Sequence, residues 1–193
     1  HTVAQILAEA ATIEEATPKI LRAMGECLGW DVGVLWRVDG EAEPLRCVEL
    51  WHNASIEVPE FERVSREFAF VPGLGLPGRV WSSLEPEYVH DVVSDENFPR
   101  GPIAKQEGLH AAFGFPIVLG REVLGVIEFF SREIRQPDQE LLNTLATIGS
   151  QIGQFIERKR AEQAVLSAQA ELAHVTRVAT VGELTASIAH EVN

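Results

Sequence analysis

His190 and Glu191 stand side by side near the end of the chain, in Ala186-Ser-Ile-Ala-His-Glu-Val-Asn193. A neutral imidazole acts as a nucleophile or a base when its other ring nitrogen can give its proton to a carboxylate, so the pair is a candidate for chemistry. A plain surface histidine on a charged helix face has no such role. The string also begins an HExxH zinc pattern, but the second histidine would be residue 194, one past the last of the 193 residues. Zinc binding needs both histidines, so no metal site is expected.

Glu128 is the second residue of interest, an acid inside the apolar run Leu124-Gly-Val-Ile-Glu-Phe-Phe-Ser131. A carboxylate buried there needs a partner or a ligand. Gly73-Leu-Gly75-Leu-Pro-Gly78 satisfies the GxGxxG spacing of phosphate-binding loops, yet it follows Pro72 rather than a strand. A dinucleotide site requires strand, turn and helix, so this reads as a tight turn opening a short helix over residues 76–83. Cys27 and Cys47 have no CxxC or Cys/His partner at metal spacing and read as buried free thiols.

These residues need elements to hold them. A chain of 193 residues with 46% hydrophobic and 23% charged residues buries one substantial core plus an extension, and is not disordered. The net charge of −13 repels phosphate backbones and anionic headgroups, so neither nucleic acid nor a membrane surface is expected as a partner. The longest uncharged run, broken by Gly114 and Pro116, falls short of the roughly 18 residues of a membrane helix, and no signal peptide is visible, which fits a cytoplasmic protein.

Apolar spacing predicts helix over residues 3–28, with a break where Thr17 caps and Pro18 opens a second segment before Gly29 stops it. Aromatic and β-branched residues over 30–38 and 45–52, around Asp39 and Gly40, predict one hairpin, and residues 110–119 and 123–131, around Gly120, predict another. Apolar residues of both parities imply a sheet covered on both faces. Residues 60–108 alternate short helical pieces with turns, a long connection of the kind that carries function.

Residues 137–193 predict one long helix, about 85 Å at ~1.5 Å per residue, most of it overhanging the preceding domain. Its apolar stripe runs through Leu141, Leu145, Ile148, Ile152 and Phe155, then Ala161, Val165, Ala168, Leu172 and Val175, then Val178, Val181, Thr185, Ile188 and Val192. The phase slips across residues 157–160. Such a stripe is expected to pack in a parallel homodimer. His190 lies two residues from Ile188 and Val192, about 200° around the helix from each, so it faces away from the partner.

Gly75-Leu-Pro-Gly-Arg-Val-Trp81, Val89-His-Asp-Val92, Gly108-Leu109, Phe115-Pro-Ile117 and the run ending at Ser131 resemble GAF domains of bacterial signalling proteins, over roughly residues 1–157. The resemblance implies an α+β fold of the GAF/PAS-like kind: a central antiparallel sheet, the first and last helices on one face, and a ligand pocket on the other. Position in the middle segment and on the uncovered sheet face then makes Trp51, Phe70, Trp81, Val89, Asp91, Phe98, Phe113, Phe115 and Glu128 the pocket candidates. Aromatics at strand spacing are more often core than ligand box.

The tail, Leu172-Ala-His-Val-Thr-Arg-Val-Ala-Thr-Val-Gly-Glu-Leu-Thr-Ala-Ser-Ile-Ala-His-Glu-Val-Asn193, resembles the first helix of the dimerisation and phosphotransfer domain of histidine kinases. His190 then matches the phospho-accepting histidine and Glu191 the adjacent acid that takes or orients its proton. The expected domains are a GAF sensor over 1–136, a signalling-helix linker over 137–171 whose start packs on the sensor, and a truncated phosphotransfer helix over 172–193.

The implied activity is a two-component sensor kinase, inactive without a separate ATP-binding domain that would bring ATP and Mg, with a response regulator as the phosphoryl acceptor. A chain that begins at His1 and stops inside a helical pattern is expected to be a piece of a longer protein. The pocket's small-molecule ligand is open. The helix over 102–107 lacks the cysteine of bilin-binding relatives, His90 and His110 do not match a haem context, and the cyclic-nucleotide string is absent, so no cofactor is expected. Cys27 and Cys47 do not suit the GAF-type methionine-sulfoxide reductases. The rival reading is a dimeric, non-enzymatic GAF binding module with another output domain.

Overall fold

A computed structural model describes residues 2–38, 44–135 and 138–191 of the chain, with side chains as far as residue 174 and at Arg177. It divides into two compact units, His1–Phe155 and Ile156–Asn193.

The first unit opens with α1 (Thr2–Glu9) and α2 (Ile13–Leu28). The break between them comes earlier than the sequence suggests. Thr12, not Thr17, is the cap: its Oγ1 accepts from Glu15 N at 3.2 Å while Glu15 Oε2 accepts from Ala11 N at 3.1 Å, a capping-box pair whose acid reaches one residue past the cap. Pro18 lies inside α2. Gly29 ends α2 in the left-handed region at φ 66°, and Arg135 covers the open carbonyls of Leu28 and Gly29 at 3.1 and 2.5 Å. Cys27, expected to be buried, is exposed near the end of α2, while Cys47 is half-buried.

The strands β1 (Val32–Val38), β2 (Leu45–His52), β3 (Ala69–Phe70), β4 (Glu87–Val89), β5 (Ala111–Leu119) and β6 (Glu122–Ser131) form one antiparallel sheet in the order β3-β2-β1-β6-β5-β4. Both expected hairpins are present, and they join through β1 against β6. Between them lie α3 (Pro59–Glu67), α4 (Gly75–Ser83) and α5 (Gly101–Gln106), which pack over one face of the sheet around a core that includes Trp36, Phe61, Phe70, Leu76, Val80 and Phe130. The fold is α+β, with a long last helix, α6 (Gln139–Glu191).

The start of α6 lies on the opposite face. Gly149 and Gly153 abut the backbone of β5, so closely that a Cβ on either would stand 2.0 Å from the carbonyl oxygen of Pro116 or Val118. Leu145, Ile152 and Phe155 are buried there at 0%, 1% and 3% exposure, and Leu141 and Ile148 are half-buried. For Leu145, Ile152 and Phe155 this corrects the assignment to a partner-facing stripe. A three-four apolar spacing is the same whether a helix packs on a second helix or on its own sheet; the two glycines between them allow the second.

In the other unit, Val165, Leu166 and Leu172 are exposed at 56%, 64% and 68%. The side chains of Val175, Val181, Ile188, His190 and Glu191 lie outside the described residues. No helix among the described residues is long and apolar enough to cross a membrane.

Candidate functional site

Glu128 sits in β6 opposite Val34 of β1 and Gly114 of β5, and strand alternation turns it, with Val126 and Phe130, toward the α3–α5 face. It is fully buried. Its partner is Arg100, the residue that precedes α5, itself 1% exposed. Arg100 Nη2 donates to Glu128 Oε1 at 2.5 Å and Nη1 donates to Ser65 Oγ of α3 at 2.9 Å. The Trp36 indole donates to the same Glu128 oxygen at 2.8 Å. Burial pushes the Glu128 carboxyl up from the ordinary range, and the Arg100 charge and the two hydrogen bonds oppose that push.

The guanidinium is enclosed by rings. Its central carbon lies 5.0 Å from the centroid of Trp36, 4.9 Å from Phe61, 5.1 Å from Phe70, 5.3 Å from Phe98 and 5.4 Å from Phe130, all within the range of a cation–π attraction. Each ring comes from a different place: Trp36 from β1, where a bulge follows Leu35, Phe130 from β6, Phe70 from the edge strand β3, Phe61 four residues before Ser65 on α3, and Phe98 from the loop before α5. Two atoms are left over. Arg100 Nε and Glu128 Oε2 are buried without a hydrogen-bond partner.

The loop and helix that carry Arg100 are tied down on the outside. Asn97 Oδ1 accepts from Gly75 N and its Nδ2 donates to Gly73 O, both at 2.9 Å; Gly75 takes the left-handed φ of 62° that this turn requires. Arg79 donates to Glu87, Asp95 and the Asn97 carbonyl at 2.6, 2.8 and 2.9 Å. Glu107, just past α5, caps the start of α3 by accepting from Glu60 N and Phe61 N at 2.9 and 3.0 Å. The GxGxxG string is thus a turn into α4 held by an asparagine.

Of the expected pocket residues, Phe70, Phe98 and Glu128 meet at the cage, and Val89 and Trp81 belong to the same face. Asp91 has other partners, Val93 N and His110 Nδ1, both at 3.1 Å. Trp51, Phe113 and Phe115 are corrections: they point the other way. The Trp51 ring presses on Gly25 of α2, and Phe115 borders Gly149 of α6, while Phe113 stacks on Phe129 at 5.3 Å and meets Trp30 edge-on at 4.5 Å. Alternation tells which residues share a face, not which layer covers it. Arg100, Ser65, Trp36, Phe61 and Phe130 were not among the candidates. The one signal for Arg100 was the acid in β6, which required a base but did not say which.

The GAF domain family model matches residues 10–157. The chain belongs to the GAF domain family. Among solved structures, the GAF domain of a phosphoenolpyruvate-protein phosphotransferase from Coxiella burnetii is similar at a TM-score of 0.69 and 20% identity, covering 84% of this chain and 92% of that one. A domain of a putative two-component sensor histidine kinase from Sinorhizobium meliloti is similar at a TM-score of 0.61 and 23% identity, covering 79% and 96%. Free methionine-R-sulfoxide reductase from Neisseria meningitidis is similar at 0.66 and 16%, covering 83% and 87%. These likenesses share the GAF fold. No curated protein matches the chain.

Proposed function

We propose that the chain is the sensory and dimerisation portion of a two-component sensor histidine kinase, with His190 as the phosphoryl acceptor and Glu191 as the acid that orients it or takes its proton. The observation that carries this reading is the tail over residues 172–193, with Gly182-Glu-Leu and Ala189-His-Glu set on the helix that begins beneath the GAF sheet. In this reading residues 1–136 sense, 137–171 transmit, and 172–193 begin the phosphotransfer domain. A change in how α6 rests on β5 biases the helix, and the bias reaches His190 as one of two packings of a parallel dimer. The exposed Val165 supports a partner helix on that part of α6. ATP and Mg belong to an ATP-binding domain, and a response-regulator aspartate receives the phosphoryl group.

The test is phosphorylation of a longer protein that includes the ATP-binding domain, with labelled ATP, comparing wild type and His190→Gln. Label on wild type and none on the variant is expected; label that persists in His190→Gln refutes the assignment and leaves a GAF module with another output. Sedimentation of the 193-residue chain should show a dimer at micromolar concentration.

A further inference from the structure

Five aromatic rings and a carboxylate around one positive charge are the chemistry by which proteins recognise organic cations. Here the charge is the chain's own. We propose that the cage of Trp36, Phe61, Phe70, Phe98 and Phe130 closed by Glu128 is a binding site for a small organic cation, an alkylammonium or guanidinium compound, for which Arg100 stands in. The proposal rests on the sensory reading above and names the ligand class of that sensor.

Three observations carry it. Arg100 fits its cage incompletely: it engages only one oxygen of Glu128 and leaves Glu128 Oε2 and its own Nε unpartnered, though both are buried. A ligand with two donors in a fork uses the same rings and reaches both oxygens of Glu128; a quaternary ammonium uses the rings and the charge alone and leaves no donor of its own unpaired. The charge balance selects the class. Glu128 is fully buried, so a cation displacing Arg100 keeps the ion pair, whereas a neutral compound would require Glu128 to take up a proton and an anion would add a second negative charge to a dry site.

The third observation is the mounting of Arg100. It sits directly before α5, a helix of only six residues without a side-chain cap, and the ties that hold this segment, Asn97 on Gly73 and Gly75 and Arg79 on Asp95, are part-buried or exposed. Because Glu107 caps α3 from the far end of α5, withdrawal of Arg100 is transmitted to the helix that carries Phe61 and Ser65.

The experiment titrates the wild-type chain with tetramethylammonium and with methylguanidinium, against potassium chloride at equal ionic strength. The melting temperature is followed with both probes, and phenylglyoxal modification of Arg100, mapped by mass spectrometry, with tetramethylammonium. A saturable rise in melting temperature and a rise in Arg100 modification are expected, since the buried guanidinium must leave to admit the probe. Arg100→Gln removes the resident competitor and should bind about tenfold more tightly or better, and Arg100→Gln with Glu128→Gln should lose that gain. If both probes track potassium chloride and Arg100 stays protected in wild type, the proposal is refuted, whether or not the variants fold; a water bridging Arg100 Nε and Glu128 Oε2, with no cation response, is the same refutation. Persistence of label in His190→Gln would overturn the kinase reading without touching this one.

Discussion

Replacing Gly153 by alanine tests the contact on which the signalling reading depends. In a solvated helix the change stabilises by about 1 kcal/mol, because alanine is the better helix former. At this position the new methyl would stand 2.0 Å from the Val118 oxygen and 2.7 Å from its carbonyl carbon. An ordinary carbon–oxygen contact is about 3.3 Å, so α6 must lift by ~1.3 Å. β5 is held at this point by its ladder to β6, where Val118 pairs with Val123, so the lift is assigned to α6.

A gap of even 0.5–1 Å forfeits about a quarter to a half of the dispersion well. Leu145, Ile152 and Phe155 bear that loss, since all three are buried beneath this stretch of the helix. Their burial is worth roughly 1.5–3 kcal/mol each, so losing about a third costs ~1.5–3 kcal/mol, and the gain in helix propensity reduces this to about 0.5–2 kcal/mol net. In a unit of this size the melting temperature falls by roughly 1–8 °C. Thermal unfolding followed by circular dichroism reads the change. Gly149→Ala should act in the same direction, with its methyl 2.0 Å from the Pro116 oxygen. The double variant should cost less than the sum, because one lift relieves both collisions. If Gly153→Ala raises the melting temperature, α6 does not rest on the β5 backbone and the reasoning fails.

Burial pushes the Cys47 thiol up to about 11, so at pH 8 its thiolate fraction is roughly a hundredth of an ordinary cysteine's; iodoacetamide should label the exposed Cys27 and spare Cys47 until the protein unfolds, and equal rates would contradict the burial. At Asp91, burial raises the carboxyl but the Val93 amide and His110 outweigh it, leaving it below the usual range. A lowered folded value contributes stability that is present above the unfolded value, near ~3.9, and lost as pH falls through the folded one. Asp91→Asn should therefore destabilise at neutral pH and converge with wild type in acid; a deficit of equal size at pH 3 and pH 7 would show that the charge is not the cause.

The two long hairpins were legible because each strand carries enough β-branched and aromatic residues to set a pattern, with Gly120 marking the turn of the second. The edge strands β3 and β4 are two and three residues long, too short for any alternation, and owe their existence to β2 and β5. Pro18 misled because a proline past the first turn is unusual in a helix, and the stronger signal was the Thr12–Glu15 capping box. Glu128 announced itself as an acid among apolar residues. Arg100, 28 residues earlier in the chain, could not, since Arg79 and Lys105 in the same segment have the same charge and only the folded path of α5 decides among them. The stripe on α6 was read correctly as apolar and given the wrong neighbour at Leu145, Ile152 and Phe155, because spacing records that a face is covered and not by what.

The ladder between β1 and β6, which pairs Val32 with Phe130 and Arg37 with Gly125, has a consequence for synthesis. Each hairpin alone is marginal in water, and the first one, complete at His52, leaves the ribosome about 80 residues ahead of the end of the strand that completes its sheet, Ser131. At roughly 5–20 residues per second it waits some 4–16 s with an open edge. Its partner strand ends at Ser131 and α6 begins at Gln139, so the sheet closes just before the helix that covers its other face is made. A nascent chain interrupted before β6 presents to the cell an unpaired strand rather than a smaller working domain.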